Sequence, residues 1–531
     1  MNPTKAMEPL ASQNVPYEQF DVVIVGAGIS GVGAGHHLVH ECPGTTFVML
    51  EMQDSFGGTW LTHRYPGVRS DSDLFTFGYR FKPWTGAPLA SREEILRYMG
   101  EVIEDDRLDA HIRYRHNILS ANWSSENNRW TLQVLRPDGS ELTVSAKFLW
   151  MCQGYYRHSE GYLPAWEGLE TYEGRLVHPQ TWSDDIELKD KNVVVIGSGA
   201  TAATLIPAIA DECRHVTMLQ RSPGYYRTGR NVNELADMLR ALQVDEKWIH
   251  EIVRRKVLHD QHLMAKRSFS EPEQLRSELL AGVSAHLGAD HELEPHFAPT
   301  YRPWSQRILF VPDGDLFRTI RSGKASVETD EIVRFTPSGP LLRSGKQISA
   351  DIAIAATGFN LSVMGDIAFT LDGKPLDFAD TVTYRGMMFT GVPNLVWVFG
   401  YFRASWTMRA DLVSDFVCRL LRHMKETGAA RVTPSLRIED HGMQLSPWIN
   451  PDNFNPGYLN RSMHLLPKCG DRAPWQNNQD YWTEKDEFAS IDFTERALVY
   501  GGPNVVQSDT TPVSLREKKT NYAVPITASQ D

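Results

Sequence analysis

The chain has 531 residues, a formal net charge of −12 at pH 7 and five cysteines, enough length for two or three domains. The acidic balance excludes a general nucleic-acid binder, which meets phosphates with clustered Lys and Arg. Cys42, Cys152, Cys213, Cys418 and Cys469 form no CxxC pair. That excludes a disulfide framework and a cysteine zinc site, so a cytoplasmic location is expected.

Residues 1–18 contain no basic segment followed by an apolar run and read as a flexible arm. Val22–Val25 is a β-branched run that ends in Gly26-Ala27-Gly28-Ile29-Ser30-Gly31. A helical stretch and the strand-like Phe47–Leu50 follow. The order repeats downstream: Val193–Ile196, then Gly197-Ser198-Gly199-Ala200-Thr201-Ala202, a helical stretch and Val216–Leu219. Two β-turn-α-β units predict two nucleotide-binding folds. Between Asn231 and His296 the charge density rises. Leu235, Met238, Leu239 and Leu242 recur with helical spacing, as do Trp248, Ile249, Ile252 and Val253, which predicts a helical insertion in the second domain. Short strands from Ala325 close on Asp351–Gly358, after which the chain is expected back in the first domain. The longest apolar runs, such as Asn394–Phe402, are of strand length, so no membrane contact is indicated. No feature sets an oligomeric state, and residues 511–531 read as a loose tail.

In the first unit Gly26 permits a tight turn, Gly28 lets backbone approach a pyrophosphate, and Gly31 lets helix pack on strand. The helix N-terminus then faces the anion with free N–H groups. Glu51 ends the next strand, where a carboxylate accepts from ribose hydroxyls and repels a 2′-phosphate; FAD or NAD fits better there than NADP. In the second unit Gly197 and Gly199 are followed by Ala202, which the fingerprint allows. The strand there ends in Arg221 and Ser222, and an arginine at that place pairs with a 2′-phosphate, so NADPH is expected. The predicted fold class is α/β, with two Rossmann-like dinucleotide-binding domains for FAD and NADPH, the second inserted in the first. The FAD domain is placed at 19–157 and 363–510, the NADPH domain at 158–230 and 297–362, and the helical insertion at 231–296.

Gly57-Gly58-Thr59-Trp60, followed by Tyr65-Pro66-Gly67-Val68-Arg69-Ser70-Asp71, resembles the motif that type I Baeyer–Villiger monooxygenases carry beside the flavin. Tyr172-Glu173-Gly174, then His178, then Trp182-Ser183, is similar to that family's fingerprint. The resemblance runs from about residue 20 to about residue 500. Within the family it is strongest to the branch of ethionamide-activating and long-chain-alkane monooxygenases, through Asp313–Phe317 and Tyr401–Thr407. Two positions depart from the fingerprint: Tyr172 replaces Phe, and Ser183 stands where Pro or Asp is usual. No metal is implied.

The resemblance implies oxygen insertion beside a ketone carbonyl through a C4a-peroxyflavin, with a small-molecule ketone or sulfide and O2 as partners. Sulfide or amine oxygenation, or alkane hydroxylation, is the alternative. Arg307 is implied as the catalytic cation and Asp71 as its partner; nitrogen-oxidising relatives carry Asn there. Gln306 stands where many members have Lys, which leaves the 2′-phosphate to Arg221 and Ser222. Gly58 and Trp60 are implied beside the flavin, and Gly174, His178 and Trp182 as hinge residues. Trp60, Trp406, Met408 and Arg403 are candidate cavity residues; related chains usually have Asn in place of Arg403. A disulfide reductase, by contrast, needs a redox cysteine pair that this sequence lacks.

Overall fold

The computed structural model describes residues 15–288, 290–452 and 454–502. The tail 511–531 and residues 1–14 of the expected arm lie outside them. Tyr17 and Glu18, also assigned to the arm, are strand residues instead: β1 (Tyr17–Val25) extends down to Tyr17. Its early residues pair with Thr143 and Val144, which offer backbone groups that need partners.

α1 (Ile29–Glu41) and β2 (Phe47–Leu50) complete the first unit. α2 (Arg92–Asp105) starts at a Ser91–Glu94 capping box. β3 (Ile112–Arg113), β4 (Asn117–Ser124), β5 (Arg129–Leu135) and β6 (Glu141–Met151) follow. β6, β1, β2 and β3 run parallel. Val22, Val23 and Ile24 are wholly buried, as a parallel sheet covered on both faces requires of its β-branched runs.

β7 (Tyr156–Gly161) leads to the second sheet, built from β8 (Arg175–Val177), β9 (Asn192–Ile196) and, after α3 (Ala200–Ile209), β10 (His215–Gln220). After the helices α4 (Glu234–Ala241), α5 (Glu246–Ser270) and α6 (Pro272–Leu287) come β11 (Ala325–Thr329) and β12 (Ile352–Ala355). The five strands are all parallel, in the order β11-β10-β9-β12-β8. β13 (Phe359–Leu361) pairs antiparallel with β7, so the outgoing and returning passes lie side by side. The chain then adds β14 (Ala368–Leu371) beside β4, β15 (Leu395–Trp397) beside β6, and α7 (Trp406–Thr427) against α1. The second fold is inserted in the first.

α4 to α6 occupy the predicted insertion, but they bridge both layers rather than staying with the second. Ile249 and Val253 of α5 join the core of the first layer, whereas Val283 and Leu287 of α6 join that of the second. Arg254, buried, donates from Nη1 to the carbonyls of Phe75, Thr76 and Gly78 at 3.0, 3.2 and 3.1 Å. This latch chooses the face of α5. Trp248 is therefore turned outward, 66 % exposed, and Met238 and Leu242 likewise reach solvent at 54 % and 68 %. Periodicity groups Met238 and Leu242 with Leu235 and Leu239, and Trp248 with Ile249, Ile252 and Val253, without separating the residues that face the core from those that face solvent.

Candidate functional site

The two glycine loops face each other across a cavity of about 940 Å3. Gly26 has φ +98°, and a Cβ there would stand 2.9 Å from the Cys152 carbonyl oxygen. A Cβ on Gly31 would lie 2.0 Å from the backbone oxygen of Gly26, so α1 reaches its strand only with glycine at that place. Gly31→Ala is accordingly expected to yield largely FAD-free protein, checked by the 450 nm to 280 nm absorbance ratio after purification; full FAD content would contradict it. Around Gly199 nothing lies within 4 Å of a hypothetical Cβ, which leaves an open cradle at the N-terminus of α3. Ala202, in the first turn of that helix, is fully buried, and neither Gly31 nor Ala202 lines the cavity; both sit where helix packs on strand.

Glu51 ends β2 at the cavity wall, only 4 % exposed. Its Oε2 accepts from the Ala27 N–H at 2.7 Å and its Oε1 from Gln53 N–H at 2.8 Å. Burial pushes its pKa up, opposed by these backbone donors. Gly58 sits backbone to backbone with Gly28, and Trp60 lines the same cavity. Gln153, also on the wall, has both amide atoms buried without a partner among the described residues, as has His63 through Nδ1. A large cavity with open glycine cradles and orphaned polar atoms fits dinucleotides.

At the far end Arg221 and Ser222 are exposed on the cavity rim. Arg461 joins them: it stacks on Tyr162 at 3.4 Å, and the positive charge of Arg221 is near enough to help burial lower its pKa. Sequence reasoning missed Arg461, because 240 residues separate it from Arg221 and no motif links them.

Arg307 and Asp71 come together from different layers. Nε of Arg307 meets Oδ2 at 2.7 Å and Nη2 donates to Oδ1 at 2.9 Å; Nη2 also donates to Ser72 Oγ at 2.8 Å. Nη1 makes one long contact, 3.5 Å, to the Phe402 carbonyl. Burial opposes the guanidinium charge, but the Asp71 carboxylate outweighs it and holds the pKa above its ordinary value. Tyr155 and Tyr458 line the cavity, and burial pushes each phenol up, so they stay protonated. A second ion pair, Arg69 to Asp315 at 2.6 Å, ties the same 65–71 segment to the second layer. Arg307 and Asp71 also line a second cavity of about 530 Å3, which meets the first at Ser72, Phe310 and Ala404.

Among the remaining expected cavity residues, Trp406 lines the first cavity and Arg403 the second. Met408 lines neither. It is a core residue packed with Leu258 and Tyr401, because α7 turns that face inward. Gly174, His178 and Trp182 also line neither. His178 lies where the two passes cross: its ring abuts Gly161 of β7, and Nε2 lies 3.2 Å from the Gly358 oxygen. Trp182 packs on the second core, and a Cβ on Gly174 would strike Tyr172 and the Asp351 oxygen. Ser183, the fingerprint departure, bonds Asp185 and Arg175 on the surface, away from both cavities.

The crossing also carries two neutral imidazoles. Burial, then the charges of His158 and His178, brings His63 to a pKa of about 4, and burial alone brings His158 to about 4. Between 6.5 and 4 the unfolded chain therefore binds more protons than the folded one. Stability held at neutral pH is lost as pH falls through that window. The thermal midpoint should drop across it, and a flat profile in scanning fluorimetry would contradict this.

Two Rossmann layers facing one cavity define a two-dinucleotide oxidoreductase. The model for the family described as pyridine nucleotide-disulphide oxidoreductase matches residues 20–275. Cys152 is the sole cysteine on the cavity, and all five are free and buried, so the match reflects the dinucleotide folds and not a disulfide centre. The FAD-containing monooxygenase EthA of Mycolicibacterium smegmatis is 43 % identical over 467 residues, 88 % of this chain and 94 % of its own. The probable FAD-binding monooxygenase AlmA of an Acinetobacter species is 39 % identical over 489 residues, 91 % and 96 % of the two chains. The chain belongs to the family of FAD-containing monooxygenases. A solved steroid monooxygenase bound to NADP has a TM-score of 0.70 at 22 % identity and covers 91 % of this chain and 99 % of its own. Cyclohexanone monooxygenase from Rhodococcus sp. Phi1 bound to NADP+ gives 0.65 at 22 % identity, covering 80 % and 88 %. Among the described residues no helix is long and apolar enough to cross a membrane.

Proposed function

We propose that this chain is an FAD- and NADPH-dependent Baeyer–Villiger monooxygenase that converts ketones to esters or lactones. The observation that carries the reading is the bidentate Arg307–Asp71 pair at the junction of the two cavities. When bound, FAD supplies oxygen activation and NADPH the hydride; the protein supplies binding and fixed charge. The Gly26–Gly31 loop and the N-terminus of α1 would hold the FAD pyrophosphate, and Glu51 would accept from the ribose. Gly197 and Gly199 would hold NADPH, with Arg221, Ser222 and Arg461 available to its 2′-phosphate.

Arg307 does not lose its proton, and Asp71 occupies Nε and Nη2. Nη1 is left to stabilise an oxyanion developing in the transition state. Neutral Tyr155 and Tyr458 beside it add hydroxyl donors without adding negative charge. His178, in contact with both crossing passes, positions the NADPH layer against the FAD layer and takes no part in the chemistry.

Arg403 bears on specificity. It has no ion pair among the described residues; burial and the charge of Arg302 lower its pKa, and the Asp480 carboxylate offsets them only in part. A substrate carboxylate would complete that charge, so oxo acids are favoured over neutral ketones. Arg403→Asn is expected to lower kcat/KM for an oxo acid by about 10- to 100-fold, the worth of a charge-assisted hydrogen bond. The matching methyl ester should be unaffected; equal losses on acid and ester would remove Arg403 from substrate recognition.

The reaction itself is tested with NADPH, 18O2 and a panel of linear and cyclic ketones beside a sulfide. An ester carrying one 18O in its bridging position supports the reading. Sulfoxide from the sulfide with no ester from any ketone would move the assignment to heteroatom oxygenation, the activity in keeping with the alternative drawn from the sequence.

A further inference from the structure

Away from both cavities, the C-terminal ends of α1 and α2 lie side by side and bring three ligating side chains together. His36 and His40 stand one turn apart on α1, and Asp106 caps α2. His36 Nδ1 lies 2.7 Å from Oδ2 of Asp106, and His40 Nε2 lies 2.8 Å from Oδ1. All three ligating atoms fall within 4.8 Å of one another. The geometry is restrained: the His36 ring stacks on Phe81 at 3.4 Å and 8°, and the Asp106 carboxylate is only 8 % exposed.

The electrostatics favour a cation. Both helices present the negative end of their dipole here. The last turns of α2 carry Glu101, Glu104 and Asp105 with no basic residue in the final turn. Lys82 reaches Glu101 and Asp105 but not Asp106.

We propose that His36, His40 and Asp106 form a binding site for a divalent transition metal, with Zn2+ as the best fit, that clasps the ends of α1 and α2. Zn–N and Zn–O bonds of about 2.0–2.2 Å put tetrahedral donors roughly 3.3 Å apart. The two gaps to Asp106 need to widen by about half an ångström, and the two imidazole nitrogens, within 4.8 Å of each other, need to come to about that same tetrahedral spacing. On coordination each imidazole gives up its hydrogen bond to Asp106, shifts its proton to the other ring nitrogen and binds the metal through the nitrogen now facing Asp106. His40, 54 % exposed, leaves the fourth position to water. Two nitrogens and one oxygen select Zn2+, Ni2+ or Co2+ over Mg2+ and Ca2+, which take oxygen shells. The site lies at the opposite end of α1 from the glycine loop, so it is separate from the oxygenation chemistry and does not depend on how that is assigned.

The test uses tag-free, FAD-loaded full-length protein titrated with Zn2+ alone by calorimetry, with metal content measured after dialysis. One Zn2+ per chain is expected above the level in His40→Gln, with affinity at least tenfold weaker in that variant and in Asp106→Asn. Zn2+ should raise the thermal midpoint of the wild type and leave that of both variants unchanged; Mg2+ should do neither. FAD content and metal-free melting curves confirm that the variants fold. Equal Zn2+ uptake by the wild type and both variants would overturn the proposal.

Discussion

Arg307→Ala is expected to lower ester formation by ~10²–10³-fold, the usual loss when a fixed oxyanion donor is removed. FAD content and NADPH-driven reduction of the flavin should persist, because neither glycine loop touches this side chain, and the reducing equivalents should appear as hydrogen peroxide. Arg307→Lys keeps the charge but loses the planar fork that meets both oxygens of Asp71 at 2.7 and 2.9 Å; it should recover only part of the activity. Product analysis beside peroxide release separates this role from an interdomain tie. A tie acts through folding, and the thermal midpoint would report it. Full ketone turnover by Arg307→Ala would end the assignment.

Arg221→Ala and Arg461→Ala should act on the other substrate. Each charge-assisted contact to a 2′-phosphate is worth about 1.5–3 kcal/mol. The KM for NADPH should therefore rise roughly tenfold or more per substitution, at about 1.4 kcal/mol per tenfold, with kcat little changed. NADH carries no 2′-phosphate, so its constants should hold and the NADPH-to-NADH preference should collapse in the double variant. An unchanged preference in the double variant would show that neither arginine reads the phosphate. Both side chains stand on the cavity rim; Arg461 also stacks on Tyr162, so the thermal midpoint of its variant is read beside the kinetics.

Much of this architecture is legible in local sequence because its signals are local. β-branched runs ending in glycine turns recur twice, and a parallel sheet covered on both faces needs such runs. Glu51 and Arg221 sit at the strand ends that the fingerprint spacing assigns them, and both line the cavity. The helical insertion was legible as helices, but not in its docking. Trp248 and Ile249 are equally apolar neighbours, and only the Arg254 latch on Phe75, Thr76 and Gly78 decides which of them faces the core. Met408 failed for the same reason: a residue's facing depends on the partner its helix meets.

By itself the sequence determined two dinucleotide folds, the insertion of one in the other, and the residue types at each loop, because turn geometry and strand burial are written in neighbouring residues. The family resemblance already paired Arg307 with Asp71; the tertiary structure alone decided which other distant groups meet: Arg461 near Arg221, Tyr155 with Tyr458, and His36 and His40 with Asp106. Such encounters depend on how whole layers and helix ends pack, and long-range packing leaves no periodic trace in the chain that forms it.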